Sequence, residues 1–164
     1  MPQKLYDILA VGNAIIDVFS QCSDDFLLQN DIEKGGMNLV DAASSQSLLA
    51  AISLVAPPQL VSGGSAANTA VGLAAIGGKA AFVGRVHEDE LGSAFCRDIR
   101  AAGVTFATTP AKIGAPTASS IILVTSDAAR SMNTFLGSSI ELEPEDIKLT
   151  AAADASVIYL EGYL

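Results

Sequence analysis

The sequence predicts an α/β fold in which a mostly parallel sheet is flanked by helices and a separate, smaller β-sheet is added. The continuous apolar run at residues 8–11 is typical of a strand buried on both faces, and residues 80–86 and 157–160 are expected to form further core strands. Segments with helical periodicity lie between these runs, and strands that alternate with helices favour a parallel sheet. Residues 14–40 and 104–136 have a more strand-like pattern, which predicts the second sheet.

In the first third of the chain, the predicted elements begin and end at recognisable signals. An acidic cap at Asp24 starts a short helix, and Gly35-Gly36 interrupts the chain after it. A single apolar stripe then predicts a longer helix, which ends at Pro57-Pro58. The expected elements are strands at 8–11 and 14–21, a helix at 24–28, a short segment at 37–40 and a helix at 41–56.

The rest of the chain continues the alternation and adds a hairpin. A helix follows Gly63-Gly64, and Asp89 is a good N-cap for another helix, which Gly103 closes. Turn residues at 126–129 join two strand-like runs. The expected elements are a strand at 80–86, hairpin strands at 119–125 and 130–135, a helix at 144–153 and a strand at 157–160.

Composition and charge restrict the classes of function. The 164 residues suffice for one domain with a sizeable core, and half of them are hydrophobic. Eighteen acidic residues against nine basic ones give a net charge of −9, which repels phosphate backbones, so we expect no nucleic-acid partner. Cys22 and Cys96 belong to no metal-binding motif and are expected to be reduced thiols. Since the sequence has no membrane-length apolar run and no signal-peptide pattern, we expect no membrane partner and a cytoplasmic location.

The strongest candidate for a ligand site is the Gly63-Gly64 pair, which Ser65 and Asn68 follow closely. Glycines allow a backbone to approach a ligand, and a helix N-terminus offers unpaired N–H groups with a partial positive charge. Together these features suit a hydroxylated or anionic small molecule. A tight turn from a strand into a helix, with a buried asparagine, explains the same residues equally well.

Four motifs occur in an order that resembles a known family. They are YDILAVGNAIID at 6–17, EKGGMNLV at 33–40, SGGSAANTAVGLAAIGG at 62–78 and FVGRVHEDELG at 82–92. In type and spacing they resemble the N-terminal half of the ribokinase/adenosine kinase (PfkB-type) carbohydrate kinases. The resemblance covers residues 6–164 but only about half of a typical member.

The resemblance implies a ribokinase-like fold, a mostly parallel sheet flanked by helices plus a small β-sheet lid. Residues 1–13, 41–103 and 137–164 would form the N-terminal part of the α/β core. Residues 14–40 and 104–136 would form the discontinuous, β-rich lid, which covers the sugar from one side.

The resemblance also implies a set of substrate-binding residues. Asp17 matches the acid that holds sugar hydroxyls, and an ionised carboxylate can accept two hydrogen bonds from neighbouring hydroxyl groups. The alternatives are a solvated aspartate near a turn and, for Glu161, an exposed acid at a strand end. The expected substrate-binding residues are Asp17, Gly36, Asn38, Gly63, Gly64, Asn68, Asn133 and Glu161.

The chemistry of phosphoryl transfer is expected to lie outside these 164 residues. The sequence lacks the family's Gly-Ala-Gly-Asp segment, with its catalytic base and anion hole, and the acidic motif that organises Mg²⁺. We therefore expect no catalytic residue and no metal site in this chain, which alone would be inactive. ATP and Mg²⁺ are expected to be bound mainly by the missing C-terminal half, and a monovalent cation is a further candidate cofactor.

The implied activity is the phosphorylation by ATP of a hydroxyl group on a sugar or nucleoside. The GNAIID and GGMNLV motifs look more like those of adenosine kinases, which favours a nucleoside or ribose-like substrate. Exposed edges of a lid sheet make a homodimer through the lid a candidate assembly. The alternatives are a non-catalytic binding or interaction module that kept the pocket, and a different α/β nucleotide-binding enzyme. The absence of G-x-x-x-x-G-K-S/T and G-x-G-x-x-G motifs argues against the latter.

Overall fold

The computed structural model describes residues 4–55, 57–147 and 152–161, which form two sheets with helices packed against them. The α/β class, with a mostly parallel sheet and a second sheet, is confirmed. None of the helices in the described ranges has the length and apolar character needed to cross a membrane. In chain order the elements are β1 (Tyr6–Val11), β2 (Ile15–Gln21), α1 (Asp24–Gln29), β3 (Met37–Leu39), α2 (Ala42–Ser53), β4 (Gln59–Gly63), α3 (Ser65–Ala75), β5 (Ala80–Val83), α4 (Glu90–Ala101), β6 (Thr105–Phe106), β7 (Ala118–Val124), β8 (Arg130–Phe135) and β9 (Ala155–Leu160).

Sheet A is the parallel sheet, and its strand order is β6-β5-β1-β9. Leu9, Ala10 and Val11 of β1 are buried, as its continuous apolar run predicts. Helix α3 packs on β1 and β5, and α4 contacts β6. Helix α4 begins at the predicted cap, where the Asp89 carboxylate accepts a hydrogen bond from the Gly92 N–H at 2.8 Å.

Three phenylalanines fix α4 against sheet A. Phe82 on β5, Phe95 on α4 and Phe106 on β6 are all buried. Their ring centroids lie between 5.6 and 5.9 Å apart, within the range of favourable aromatic pairs. This cluster lies in the same hydrophobic core as the inner face of sheet B.

Sheet B is mixed, and its strand order is β3-β8-β7-β2-β4. Along β2, Ile16, Val18 and Ser20 are buried, whereas Asp17 and Phe19 between them are half-buried. Because successive side chains of a strand point to opposite faces, Asp17 and Phe19 share the face away from the core. The predicted hairpin is confirmed, since β7 and β8 pair antiparallel.

Strand β4 and helix α2 lie with sheet B, although residues 41–103 were predicted to belong to the α/β core. Strand β4 pairs antiparallel with β2, and α2 packs on β7 and β8. The physical reason is the apolar stripe of α2, whose buried Leu48 and Ile52 cover the inner face of sheet B. The chain therefore returns to sheet A only with α3.

Two local predictions are wrong. The acidic cap predicted for α1 is in fact Ser23, whose hydroxyl oxygen accepts a hydrogen bond from the Phe26 N–H at 3.2 Å, and Asp24 is the first helical residue. Of the helix predicted at 144–153, Pro144–Asp146 form a 3₁₀ turn and Ile147 is already extended, whereas Ala152 and Ala153 are helical. The Asp146 carboxylate accepts hydrogen bonds from the Glu143 N–H and from the Arg85 guanidinium, and these bonds hold the turn. Residues 148–151 of that prediction lie outside the described residues.

Candidate functional site

Two segments of the chain cross between the sheets at one place. Gly12, Asn13 and Ala14 connect β1 to β2, and Gly64 connects β4 to α3. Gly64 has a φ of +96°, and a Cβ there would overlap the Asn13 carbonyl oxygen. A Cβ at Gly12 would lie 2.6 Å from the Ala66 Cβ. The close approach of the two crossings therefore requires glycine.

Asp17 lies on β2 just beyond this crossing, with its carboxylate against Gly63. A Cβ added at Gly63 would be 2.5 Å from the Asp17 Oδ2 and 2.8 Å from its Cγ. Burial raises the pKa of Asp17, because the ionised carboxylate loses solvation. Within the described residues, this carboxylate makes no hydrogen bond and no ion pair. Its oxygens are thus available to donors from a ligand.

The N-terminus of α3 lies next to the end of β9. Ser65 donates a hydrogen bond to the Glu161 carboxylate, whose other oxygen accepts one from the Tyr159 hydroxyl at 2.9 Å. A carboxylate is favoured at this end of a helix, where the partial charge is positive. The structure therefore brings Glu161 to the helix that begins after Gly64.

On the face of sheet B that carries Asp17, the row through Asp17 is polar in its centre and apolar at its ends, where Val61 and Leu39 lie. Asp17 is in register with Ser120 of β7, and Ser120 with Thr134 of β8, and the two hydroxyl oxygens are 2.8 Å apart. The next row on the same face contains Phe19, Ile122, Met132 and Met37. A ligand over Asp17 would therefore lie beside two buried hydroxyl groups and an apolar surface.

Asn68 lies on the first turn of α3, beside the Gly63-Gly64 turn. Its N–H donates a hydrogen bond to the Gly64 carbonyl at 2.8 Å. Its exposed side chain lines a groove of about 240 Å³ between β4, α3 and α4. At this groove the Ser62 hydroxyl donates to the Asp98 carboxylate at 3.0 Å and so joins β4 to α4.

Three of the predicted site residues lie away from Asp17. Asn38 and Asn133 are register partners on β3 and β8. Because Thr134 shares the face of Asp17, its neighbour Asn133 faces the opposite side of sheet B, and so does Asn38. Gly36 lies in the turn before β3, where its carbonyl accepts a hydrogen bond from a β8 N–H at 2.9 Å. The structure does not bring these three residues together with Asp17.

Sequence reasoning did not select Ser65 or Tyr159 as site residues. Both donate hydrogen bonds to Glu161 and fix the position of its carboxylate. Tyr159 stands two residues before Glu161, and this spacing puts both side chains on one side of an extended chain. The sequence signals that could have identified these two residues are this spacing and the position of Ser65 directly after Gly63-Gly64.

No group of three or more His, Cys, Asp or Glu side chains that could hold a metal ion occurs in the described part of the chain. The binding of ATP, Mg²⁺ and a monovalent cation stays a prediction.

Comparison with known proteins identifies the family. The profile of the pfkB family carbohydrate kinases matches residues 37–164. This chain belongs to that family. The pfkB-family chain is 50% identical to a probable sugar kinase from Rhizobium etli, with a TM-score of 0.87, over 99% of this chain and 48% of that one.

Two further relatives of this pfkB-family chain differ in their described substrates. The adenosine kinase from Sinorhizobium meliloti is 49% identical, with a TM-score of 0.86, over 98% of this chain and 48% of that one. A probable fructokinase-4 from Arabidopsis thaliana is 29% identical over 125 residues, which are 75% of this chain and 37% of the relative. The chain thus spans about half the length of the solved relatives it matches.

Proposed function

We propose that a full-length form of this protein phosphorylates a hydroxyl group of a nucleoside, and that this chain binds the sugar. The observation that carries the proposal is the half-buried Asp17 carboxylate, which lies against Gly63 without a partner among the described residues. Desolvating an ionised group without a partner costs folding free energy. A ligand that donates hydrogen bonds to the carboxylate offsets that cost, and membership of a carbohydrate kinase family supports a sugar as the donor.

Vicinal sugar hydroxyls suit the chemistry of this carboxylate. Two neighbouring hydroxyls can donate one hydrogen bond to each oxygen, and each charge-assisted bond contributes about 1.5–3 kcal/mol. The Ser120 and Thr134 hydroxyls beside Asp17 are buried and hydrogen-bonded to each other, so the half-buried carboxylate is the more accessible polar group. The role of Asp17 in this proposal is to bind and orient the sugar.

The apolar row beside Asp17 favours a nucleoside over a free sugar. Phe19 and Met132 are half-buried and Met37 is exposed, so part of this row is open to a ligand. The planar base of a nucleoside can pack on this surface, whereas a free sugar would leave it in contact with water. The similarity to the adenosine kinase from Sinorhizobium meliloti supports the same substrate class.

ATP with Mg²⁺ supplies the phosphoryl group when bound. We propose that both are bound mainly by residues outside these 164. The residues of this chain position the acceptor. In addition to Asp17, Glu161 stands at the α3 N-terminus in the orientation that Ser65 and Tyr159 fix.

The test is turnover of ATP with a panel of sugars and nucleosides by the full-length protein. We expect the highest kcat/KM with a nucleoside, and we expect Asp17→Asn to lower it by about a hundredfold. Asp25→Asn, which changes an exposed acid in the first turn of α1, is the matched control and should leave kcat/KM within about twofold. Turnover of a free sugar in preference to every nucleoside would contradict the substrate class. Saturable nucleoside binding without any turnover would instead support a non-catalytic binding module.

A further inference from the structure

A second cavity lies on the face of sheet B opposite to Asp17. It has a volume of about 380 Å³ and lies between α2, β3, β8 and the loop that follows α1. Its apolar lining comes from Ile32, Val40 and Leu48. This volume is within the range of small-molecule sites, which combine an apolar wall with a few placed polar groups.

The polar group that points to a ligand is the Asn133 carboxamide. Asn133 lines the cavity, is only 3% exposed, and its Nδ2 has no hydrogen-bond partner among the described residues. A buried donor without a partner is costly, so each such group calls for an explanation. Asn38 lines the same cavity from the adjacent strand, in register with Asn133. Two carboxamides therefore stand side by side at one wall.

The chemistry of the lining defines the class of ligand. Each carboxamide offers donors and an acceptor, which together match hydroxyl groups that also donate and accept. None of the residues that line the cavity is a Lys, Arg or His, and Asp31 at its edge disfavours anions. We propose that this cavity is a second binding site, separate from the Asp17 site, for a neutral polyhydroxylated molecule of about pentose size.

The proposal is independent of the proposed kinase activity, since it uses no residue of the Asp17 face. Strand β8 nevertheless separates the two sites by the thickness of one sheet, because Asn133 and Thr134 are consecutive and point to opposite faces.

The test is calorimetric titration of D-ribose into the full-length Asp17→Asn protein, in which binding at the first site is suppressed. We expect one saturable site with a Kd of about 1–10 mM, as is reasonable for so small a ligand. Asn133→Leu should weaken this binding at least about tenfold, because the buried donor is lost. Gln46→Leu, an exposed position on α2 that does not line the cavity, is the matched control and should leave Kd unchanged.

Ser47→Phe gives a second variant, because Ser47 is exposed and lines the cavity, so a large side chain there blocks it without touching the buried amide. We expect it also to abolish D-ribose binding. Absence of saturable binding in the Asp17→Asn protein overturns the proposal. If Asn133→Leu folds, binding that survives both substitutions also overturns the proposal. If it does not fold, binding that survives Ser47→Phe overturns the proposal.

Discussion

At the scale of single residues, the Asp17 carboxylate connects the fold to the proposed function. Burial raises the pKa of Asp17 above its ordinary value of 3.8. Folding therefore favours the protonated acid, and the ionised form lowers the free energy of unfolding at every pH above that ordinary value. Gly63 permits this arrangement, since any larger residue would displace the carboxylate.

We predict that Asp17→Asn raises the free energy of unfolding of the full-length protein near about pH 7 while it lowers kcat/KM. The asparagine cannot ionise, so the cost of the buried charge is removed. The stability difference should shrink as the pH falls through the raised pKa of the folded state and vanish below 3.8, where the wild-type acid is protonated in both states. Thermal unfolding over a range of pH measures the difference. A variant less stable than the wild type at neutral pH would mean that the fold itself needs the charge.

The adjacent glycines should respond differently to alanine. At Gly63 the new Cβ meets only the end of the Asp17 side chain, which can rotate away. We expect Gly63→Ala to cost at most about 1.5 kcal/mol of stability but at least about tenfold in kcat/KM. Gly64→Ala meets the Asn13 backbone carbonyl at a φ of +96° and should cost more stability than Gly63→Ala, about 2–3 kcal/mol. Denaturant unfolding and kinetics of both variants test this, and equal effects of the two on stability would contradict it.

At the scale of elements, the sequence predicted those elements whose signals are local. The continuous apolar run of β1, the Asp89 cap of α4 and the turn between β7 and β8 each depend on neighbouring residues only. Strand β4 carried no such signal, because Leu60 and Val61 are both exposed and the strand exists through its pairing with β2. The helix predicted at 144–153 is not continuous, because the Arg85 guanidinium and the Glu143 N–H both donate to the Asp146 carboxylate and hold a tighter turn at 144–146.

Part of the candidate site was also predictable from signals that depend on neighbouring residues only. Gly64 and Glu161 follow strands directly, and the ends of strands converge at such crossings. The separation of Asn38 and Asn133 from Asp17 depends on the register between strands, and a shift of one residue would reverse the face on which a side chain lies. Such a register cannot be derived from the order of residues along one strand.

Packing between α4 and sheet A gives the prediction at this scale. Phe95→Ala should reduce the free energy of unfolding by about 3–5 kcal/mol, because it leaves a cavity between Phe82 and Phe106. Leu54→Ala is the control, since Leu54 is 89% exposed and its truncation should change stability by no more than about 0.5 kcal/mol. Urea unfolding of the full-length protein measures both. Similar losses for the two variants would show that the aromatic cluster does not stabilise the domain.

At the scale of the whole molecule, the chain covers 48% of each of the two solved relatives described above. Strand β9 was predicted to be a core strand, but in the described part of the chain it is an edge strand of sheet A, and its Val157, Ile158 and Leu160 are between 52% and 61% exposed. An apolar strand with one unpaired edge favours association with other chains. The two relatives are about twice as long as this chain, which is enough additional chain to cover such an edge.

We therefore predict that the 164 residues alone self-associate and show no kinase activity. Sedimentation velocity, dye binding to exposed apolar surface and an ATP turnover assay measure this, with the full-length protein as the control. A monodisperse monomer with a sharp, cooperative thermal transition would contradict the prediction about association. ATP turnover by the short chain, purified free of host kinases, would contradict the prediction about activity.

The central claim is that the Asp17 carboxylate binds vicinal sugar hydroxyls, and the most direct test varies both partners at once. The measurement is kcat/KM of the full-length protein for a ribonucleoside and for its 2′,3′-dideoxy counterpart, in the wild type and in Asp17→Asn. We predict that the wild type prefers the ribonucleoside by about a hundredfold or more, and that Asp17→Asn reduces the preference to about threefold or less. If Asp17→Asn keeps the full preference, Asp17 does not bind these hydroxyls and the claim is contradicted.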